Sequence, residues 1–339
     1  VANKYSPQVG VTADLQFDAY MSYSRSTEGG VSSRLLDAVA CFRWIVEQCH
    51  KHSCPNLLIL GDVFDSRTTI DISVLDIVCR EFADAKDSGL QVTVLVGNHD
   101  SYLRGPKLNS LQVLRGVATV IEQPCVQGGI AFVPWVDSEE QIETWVKQVA
   151  KDKNARYLMT HAMLDGVFPG KGVSTNALKP SRWDRIILGD VHDPIEIPGP
   201  CPIHYVGSPM QIDFRDAGKY RGFGILDVGA NKWTPIENTV SPRFHIVNNY
   251  DSIAEIKQHD FARVKHENAK KAAGMTQQVK KVCDWVEGAT VEVKDEKPRL
   301  DVQPSATREE VLRRYCVYNE VEDEDLIELG LMLLAEAEK

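Results

Sequence analysis

Five short stretches of this 339-residue chain end an apolar run on side chains able to bind or move charge. VTADLQFD carries Asp14 and Gln16, and LLILGDVFD carries Asp62 and Asp65. VTVLVGNHD carries Asn98, His99 and Asp100. YLMTHAM closes its run at His161, and RIILGDVHD carries Asp190 and His192. Carboxylates, an amide oxygen and imidazoles are the donors that divalent cations of the Mg²⁺, Mn²⁺ and Zn²⁺ kind select. In D-x-Q and D-x-H the two side chains stand two residues apart in near-extended chain, so both reach one side. An isolated Asp after a strand is ordinarily a turn or cap residue, and an isolated His an ordinary core or surface residue. The ordered recurrence is what points to a metal centre, built on Asp14, Asp62, Asn98, His161 and His192. Gly61, Gly97 and Gly189 precede three of these clusters, where they are expected to let the backbone turn sharply.

The elements around these residues should place them at strand ends. Residues 8–13, 56–60 and 91–96 read as strands, the last β-branched and alternating. Residues 31–52 and 72–86 read as helices; the first carries Leu35, Leu36, Val39, Phe42, Val46 and Cys49 on one face. This β-α-β-α-β order predicts a parallel α/β core, whose ligand sites collect beyond the carboxyl ends of the strands. From residue 118 strands dominate, at 118–121, 130–133, 156–160, 185–188, 204–206 and 223–228, with one helix at 138–150. The fold class is therefore α/β, a two-sheet β-sandwich flanked by helices. Residues 1–248 form this domain. Residues 249–297 read as a small β-α-β capping module: a strand at 261–265, a helix at 267–287 bearing Lys270, Lys271, Lys280 and Lys281, and a strand at 289–294. Residues 298–339 hold the end of a linker and two C-terminal helices, the first capped by Thr307.

The ordered set resembles the calcineurin-like metallophosphoesterase superfamily and, within it, the SbcD-type nuclease subunit of double-strand-break repair complexes. GDVFD, the Gly207–Pro209 segment, the Lys219-Tyr-Arg-Gly-Phe stretch and the order of the later modules carry the closer likeness. The resemblance implies two metal ions. Asp14, Gln16, Asp62 and His192 would hold one; Asp62, Asn98, His161 and Asp190 would hold the other, with Asp62 shared. His99 would act as general acid toward the leaving oxygen, or stabilise charge there, while metal-activated water attacks. Gln16 and Asp190 stand where the family carries histidines, and this exchange of imidazole for oxygen favours two Mn²⁺, or Mg²⁺, over Zn²⁺. Asp65 and Asp100 either orient imidazoles or cap turns.

The same likeness implies a Mn²⁺-dependent DNA exonuclease and endonuclease, acting on double-stranded ends and single-stranded DNA with an SbcC-type ATPase. The ATPase would dock on the C-terminal helices, whose other reading is packing back on their own chain. Homodimer contacts would use helices at 72–86 and 106–116. Lys171, Lys270 and Lys271 are candidate DNA contacts, with a solvated loop and a solvated helix face as the alternatives. Rival functions are a phosphoesterase for nucleotides or phosphoproteins, and a non-catalytic DNA-end scaffold. A formal net charge of −10 argues against coating nucleic acid with the whole surface. Eight cysteines without a CxxC pair, no signal-peptide pattern and no membrane-length apolar run lead to an expectation of reduced thiols in a bacterial or phage-encoded cytoplasmic protein.

Overall fold

The structure is a computed structural model that describes residues 8–20, 22–25, 27, 29–102, 106–167, 172–290, 307–319, 321 and 323–336. The chain opens with β1 (Gln8–Thr12), α1 (Ser33–Lys51), β2 (Asn56–Ile59), α2 (Ile72–Asp87), β3 (Gln91–Leu95) and β4 (Thr119–Ile121). It continues with β5 (Cys125–Gln127), β6 (Ile130–Val133), α3 (Glu139–Val149), β7 (Tyr157–His161), β8 (Arg185–Gly189), β9 (Ile195–Ile197) and β10 (Ile203–Tyr205). Then come β11 (Gly222–Asp227), β12 (Lys232–Glu237), β13 (Phe244–Val247), β14 (Phe261–Lys265), α4 (Ala269–Val279) and β15 (Trp285–Thr290), followed by α5 (Arg308–Tyr318) and α6 (Glu324–Glu336).

Two six-stranded sheets form the body, ordered β12-β11-β1-β2-β3-β4 and β5-β6-β7-β8-β10-β9. The first is parallel from β1 to β4 with β11 and β12 antiparallel at one side, and the second is parallel at its centre with antiparallel pairs at both edges. Side-chain alternation sorts the layers. Val9, Val11, Leu58 and Leu60 meet Phe132, Tyr157, Met159 and Ile187 between the sheets. The opposite face of the first sheet, with Leu57 and Ile59, packs on Phe42, Ile45 and Phe82 of α1 and α2. The second sheet covers its outer face with Ile142 and Val146 of α3. α1 begins where Ser32 Oγ accepts the Leu35 N–H at 3.3 Å. Gly10 is needed for close helix packing, since a Cβ there would lie 2.6 Å from Cys49 Sγ. The expected sandwich of two sheets between helices is the observed one.

Three expectations are corrected. Residues 267–287 are not one helix: α4 stops at Val279, and the third strand of the small sheet starts at Trp285. That parallel sheet, β13-β14-β15, also takes Phe244–Val247, so it begins ahead of the boundary drawn at residue 248. Residues 106–116 supply no α-helix for a dimer contact, only a 3₁₀ turn at Ser110–Leu114 whose Leu111 and Leu114 are buried under the first sheet. The linker before Thr307 lies outside the described residues. α5 and α6 lie against each other, burying Cys316 and Ile327 while Val317, Leu326, Met332 and Leu333 stay exposed. All eight cysteines are free thiols. Among the described residues no helix is long and apolar enough to cross a membrane.

The small sheet is tied to the body by an aromatic junction. Tyr23 meets Phe214, Phe244, Phe261 and Trp285 edge-on, and Phe244 stacks on Phe261 at 4.6 Å. The Arg34 guanidinium lies 5.4 and 5.0 Å from the Phe244 and Phe261 ring centres and donates to the Gln211 carbonyl at 2.8 Å. Phe214 thus connects the small sheet to a loop that walls the cleft described next.

Candidate metal centre

The parallel strands of both sheets deliver their carboxyl ends to one place. Asp14 follows β1, Asp62 follows β2, Asn98 and His99 follow β3, His161 ends β7, and Asp190 follows β8. Ligand atoms of Asp14, Asp62 and His161 all lie within 4.8 Å of one another, and all three residues are buried. His161 Nδ1 sits 2.6 Å from the Leu60 carbonyl oxygen, so it is the donor there. Its Nε2 then faces inward, 2.8 Å from Asn98 Oδ1, 3.4 Å from Asp62 Oδ1 and 3.7 Å from Asp190 Oδ1. On the open side the Gln16 amide and His192 Nε2 meet at 2.9 Å. Every residue expected as a ligand is therefore gathered here.

The backbone is unusual where the ligands are. Asp14, Gln16, Asp62 and Asp190 have φ of 53°, 46°, 55° and 89°. Left-handed backbone costs L-residues roughly 1–2 kcal/mol each, and such strain collects at functional sites. It persists because the loops are tied to one another. Asp14 N–H donates to Gly61 O, and Gln16 N–H to Asp62 O. Asp100 accepts from the N–H groups of Asp62, Val63, Phe64 and Gly97. That settles Asp100 as a loop clamp and not an imidazole partner. Asp65 does sit with an imidazole: its backbone carbonyl accepts from His99 Nδ1, and its Oδ1 is 3.5 Å away.

The glycines do more than turn the chain. Gly61, at φ 92°, supplies a turn and also room, since a Cβ there would fall 2.5 Å from His161 Nδ1. Gly97 and Gly189 allow close approach: a Cβ on Gly97 would fall 2.2 Å from Asp62 Oδ1, and one on Gly189 would fall 2.3 Å from Leu60 O. Gly97→Ala should therefore displace Asp62 and cost roughly 1–3 kcal/mol of stability. Thermal melting with and without divalent metal checks this; a wild-type metal-induced rise in Tm in the variant would refute it.

Charge in the pocket is unbalanced without a cation. Burial holds the Asp14 carboxyl well above its usual range, with Asp62 and Asp190 adding to the rise. Burial also raises Asp190 and Asp65, and burial together with Asp62 pushes Asp100 up to about 7. Asp62 goes the other way: burial opposes ionisation, yet His161 and His99 hold its carboxyl low. The carboxylates raise His161 despite its burial. Burial lowers His192, keeping it a neutral donor of its lone pair. Crowded carboxylates, an amide oxygen and imidazoles fit hard divalent ions.

A carboxyl raised in the fold stabilises fully below its unfolded value of about 3.9 and loses that contribution as pH climbs through the folded one. For Asp100 the loss runs up to about 7. Mn²⁺ added to chelator-treated protein should therefore raise Tm more at about pH 8 than at about pH 5.5. Equal rises at both would show that the carboxylates do not hold the ion.

The centre opens into a cleft of about 620 Å³ lined by Gln16, Asp65, His99, Asp190 and His192, and also by Arg215 and Lys219. Asp193 pairs with Lys219 at 2.8 Å and Arg221 at 2.9 Å, closing the loop behind His192.

This constellation is the one a match to the calcineurin-like phosphoesterase family covers, over residues 7–194. The chain belongs to that family. Its members are metal-dependent phosphoester hydrolases, and the candidate metal site here is built accordingly. No curated protein matches the sequence. Among solved structures, TT1561 of Thermus thermophilus is 12% identical with a TM-score of 0.44, covering 68% of this chain and 98% of its own. A dimetal phosphatase from Danio rerio is 15% identical at 0.40, covering 64% and 91%. The Pseudomonas putida nuclease MPE is 15% identical at 0.32, covering 67% and 87%.

Other expected contacts fall elsewhere. Lys171 lies outside the described residues. Lys270 and Lys271 are exposed on α4 and do not line the cleft. His204, which stands close enough in sequence to approach the centre, instead contacts Arg185 and stacks near Trp233 at 5.8 Å. Two residues of the site carry no clear sequence signal. Tyr20 donates its hydroxyl to the strained Gln16 carbonyl, and the only cue to Arg215 is its place after the Gly207–Pro209 segment.

Proposed function

We propose that the chain is a Mn²⁺- or Mg²⁺-dependent DNA nuclease of the SbcD type, cleaving phosphodiesters at DNA ends and in single strands. The buried cluster of Asp14, Asp62 and His161, met by Asn98 and Asp190 and flanked on its open side by Gln16 and His192, carries the hydrolytic part. Asp14, Gln16, Asp62 and His192 would hold one ion, and Asp62, Asn98, His161 and Asp190 the other. Divalent ions, when bound, supply Lewis-acid charge and ionise water near neutral pH. The chain's own residues do the rest. His161 is fixed in its tautomer by Leu60, so its Nε2 lone pair stays aimed inward. His99, held through Nδ1 on Asp65, points Nε2 at the departing oxygen, and its imidazolium form hands over the Nε2 proton and returns to the neutral Nδ1–H tautomer. Arg215 and Lys219, paired with Asp213 and Asp193, are the cationic side chains that line the cleft.

The nucleic-acid part is supported by the small sheet. Its aromatic junction grips Phe214, inside the segment that walls the cleft, and places a Lys-bearing helix on the same module. The exposed apolar residues of α5 and α6 support docking of an SbcC-type ATPase. Exposed Ile72 on α2 leaves a homodimer contact open to that helix.

The test assays the purified chain, alone and with an SbcC-type ATPase, on end-labelled duplex DNA, single-stranded DNA and a small phosphodiester. Mn²⁺, Mg²⁺ and chelator are compared. Metal-dependent DNA cleavage is expected. Turnover of the small ester with no DNA cleavage would replace the substrate in this reading, and metal binding with no turnover at all would leave a scaffold.

A further inference from the structure

A second cavity of about 680 Å³ opens beside the metal cleft, lined by Arg185, Pro194, Glu196, His204, Tyr220 and Trp233, with Lys232 at its edge. Consecutive residues connect the two spaces. Asp193 and Lys219 line the metal cleft, and their neighbours Pro194 and Tyr220 line this cavity. The Asp193–Lys219 ion pair is the wall between them.

The cavity floor holds a buried cation whose nearest acidic influence, Glu196, acts on it without forming an ion pair. Arg185 is only 8% exposed. Its Nε donates to Asn231 Oδ1 at 3.1 Å, its Nη2 to the Asn231 carbonyl at 3.1 Å, and its Nη1 to His204 Nε2. These use three of the five guanidinium N–H groups. Among the described residues no carboxylate forms an ion pair with it. Glu196 is the nearest acidic side chain of the cavity; it is exposed and reaches His204 Nδ1 only at 4.0 Å. Burial, with Arg185 beside it, lowers His204 to about 4, so the imidazole is neutral at physiological pH and accepts from Arg185. Buried charge normally has a partner, and here the unfilled role is an anion's.

The walls are aromatic. A Cβ on Gly224 would fall 2.0 Å from the Trp233 indole, so the ring lies against the β11 backbone at a position only glycine permits. Trp233 and His204 are near parallel, 23° apart, and Tyr220 stands partly exposed at the rim. An anion-seeking guanidinium beside the exposed Tyr220 ring and the partly buried Trp233 is the chemistry that recognises a nucleotide.

We propose that this cavity is a nucleotide subsite that takes the unit of a single strand neighbouring the scissile phosphate, its base against Trp233 and Tyr220 and its phosphate at Arg185 and Lys232. This rests on the nuclease reading of the metal centre and deepens it, since a strand lying in both spaces is a polymer and not a small ester.

The test uses the full chain in chelator, so that nothing is cleaved. An oligothymidine carrying 5-iodouracil is bound, photo-cross-linked and mapped by peptide mass spectrometry, and its affinity is measured by fluorescence anisotropy. Cross-links at Trp233 or Tyr220 are expected. Tyr220→Ala and Trp233→Leu should each weaken oligonucleotide binding roughly 5- to 100-fold. Tyr220→Ala changes a rim residue and keeps the test decisive if Trp233→Leu melts early. Cross-links confined to other surfaces, with Tyr220→Ala binding as wild type, would overturn the subsite. Thymidine monophosphate binding as tightly as the oligomer would overturn the strand and leave a free-nucleotide pocket. If wild type cross-links here but never cleaves DNA with Mn²⁺, the nuclease reading falls and the cavity stands only as a strand-binding site. Cleavage without cross-links here gives the reverse.

Discussion

Asp62→Asn is expected to reduce hydrolysis on the order of 10³-fold, equivalent to about 4 kcal/mol of transition-state stabilisation. Asp62 is the carboxylate that ties the constellation together. Its Oδ1 accepts the His99 N–H at 2.8 Å and lies 3.4 Å from His161 Nε2. Its own N–H is clamped by Asp100 at 2.8 Å, so the residue is held through its backbone as well as its side chain. It is also the carboxyl held low while burial holds Asp14 and Asp190 high, which makes it the anion most available to a cation. Asparagine keeps the shape and loses that charge. The backbone clamp and the left-handed φ of 55°, which Asn tolerates, survive the change. Cooperative melting should therefore persist while the Mn²⁺-induced rise in Tm disappears. A variant that still shows that rise, or cleaves at more than about a tenth of the wild-type rate, would remove Asp62 from the centre of the mechanism.

The limits of sequence reading follow from what each residue does. The ligand set is legible because each ligand ends an apolar strand, and five such endings in order have few other uses. The three glycines look identical in sequence, yet Gly61 combines a positive-φ turn with room for His161, while Gly97 and Gly189 provide room for Asp62 and for the Leu60 carbonyl. That distinction depends on which strands become neighbours. Asp100 reads equally as partner to an imidazole or as a cap; only the meeting of the β2 and β3 loops decides for the cap. Strand β12 is hard to see in sequence because it is an edge strand with alternating exposure and Pro235 in its middle, a position that edges tolerate. The sequence overextends α4 because Lys280, Lys281 and Val282 continue a helical charge pattern past Val279, where the chain turns toward β15. Arg185 and Trp233 carry no motif; their meeting is a product of sheet order alone.

His99→Gln should separate proton donation from electrostatic support. The His99 ring is held outside the buried ligand cluster, at the cleft wall, with Nδ1 committed to the Asp65 carbonyl. Removing the ring therefore leaves the cation-binding residues in place, and the Mn²⁺-induced rise in Tm should be unchanged. The loss in rate should depend on the leaving group. A deoxyribose oxygen departs badly as an alkoxide and needs a proton, so DNA cleavage should fall about 10²–10⁴-fold. A p-nitrophenolate departs without one, so bis(p-nitrophenyl) phosphate hydrolysis should fall roughly tenfold or less, since the proton is worth little there. Glutamine can still donate a hydrogen bond but has no transferable proton near neutral pH. Equal losses on both substrates would show that His99 stabilises charge on the phosphate and does not donate. No loss on either would mean that the proton reaches the leaving oxygen from solvent, and that the contact with Asp65 serves only to hold the GNHD loop in place.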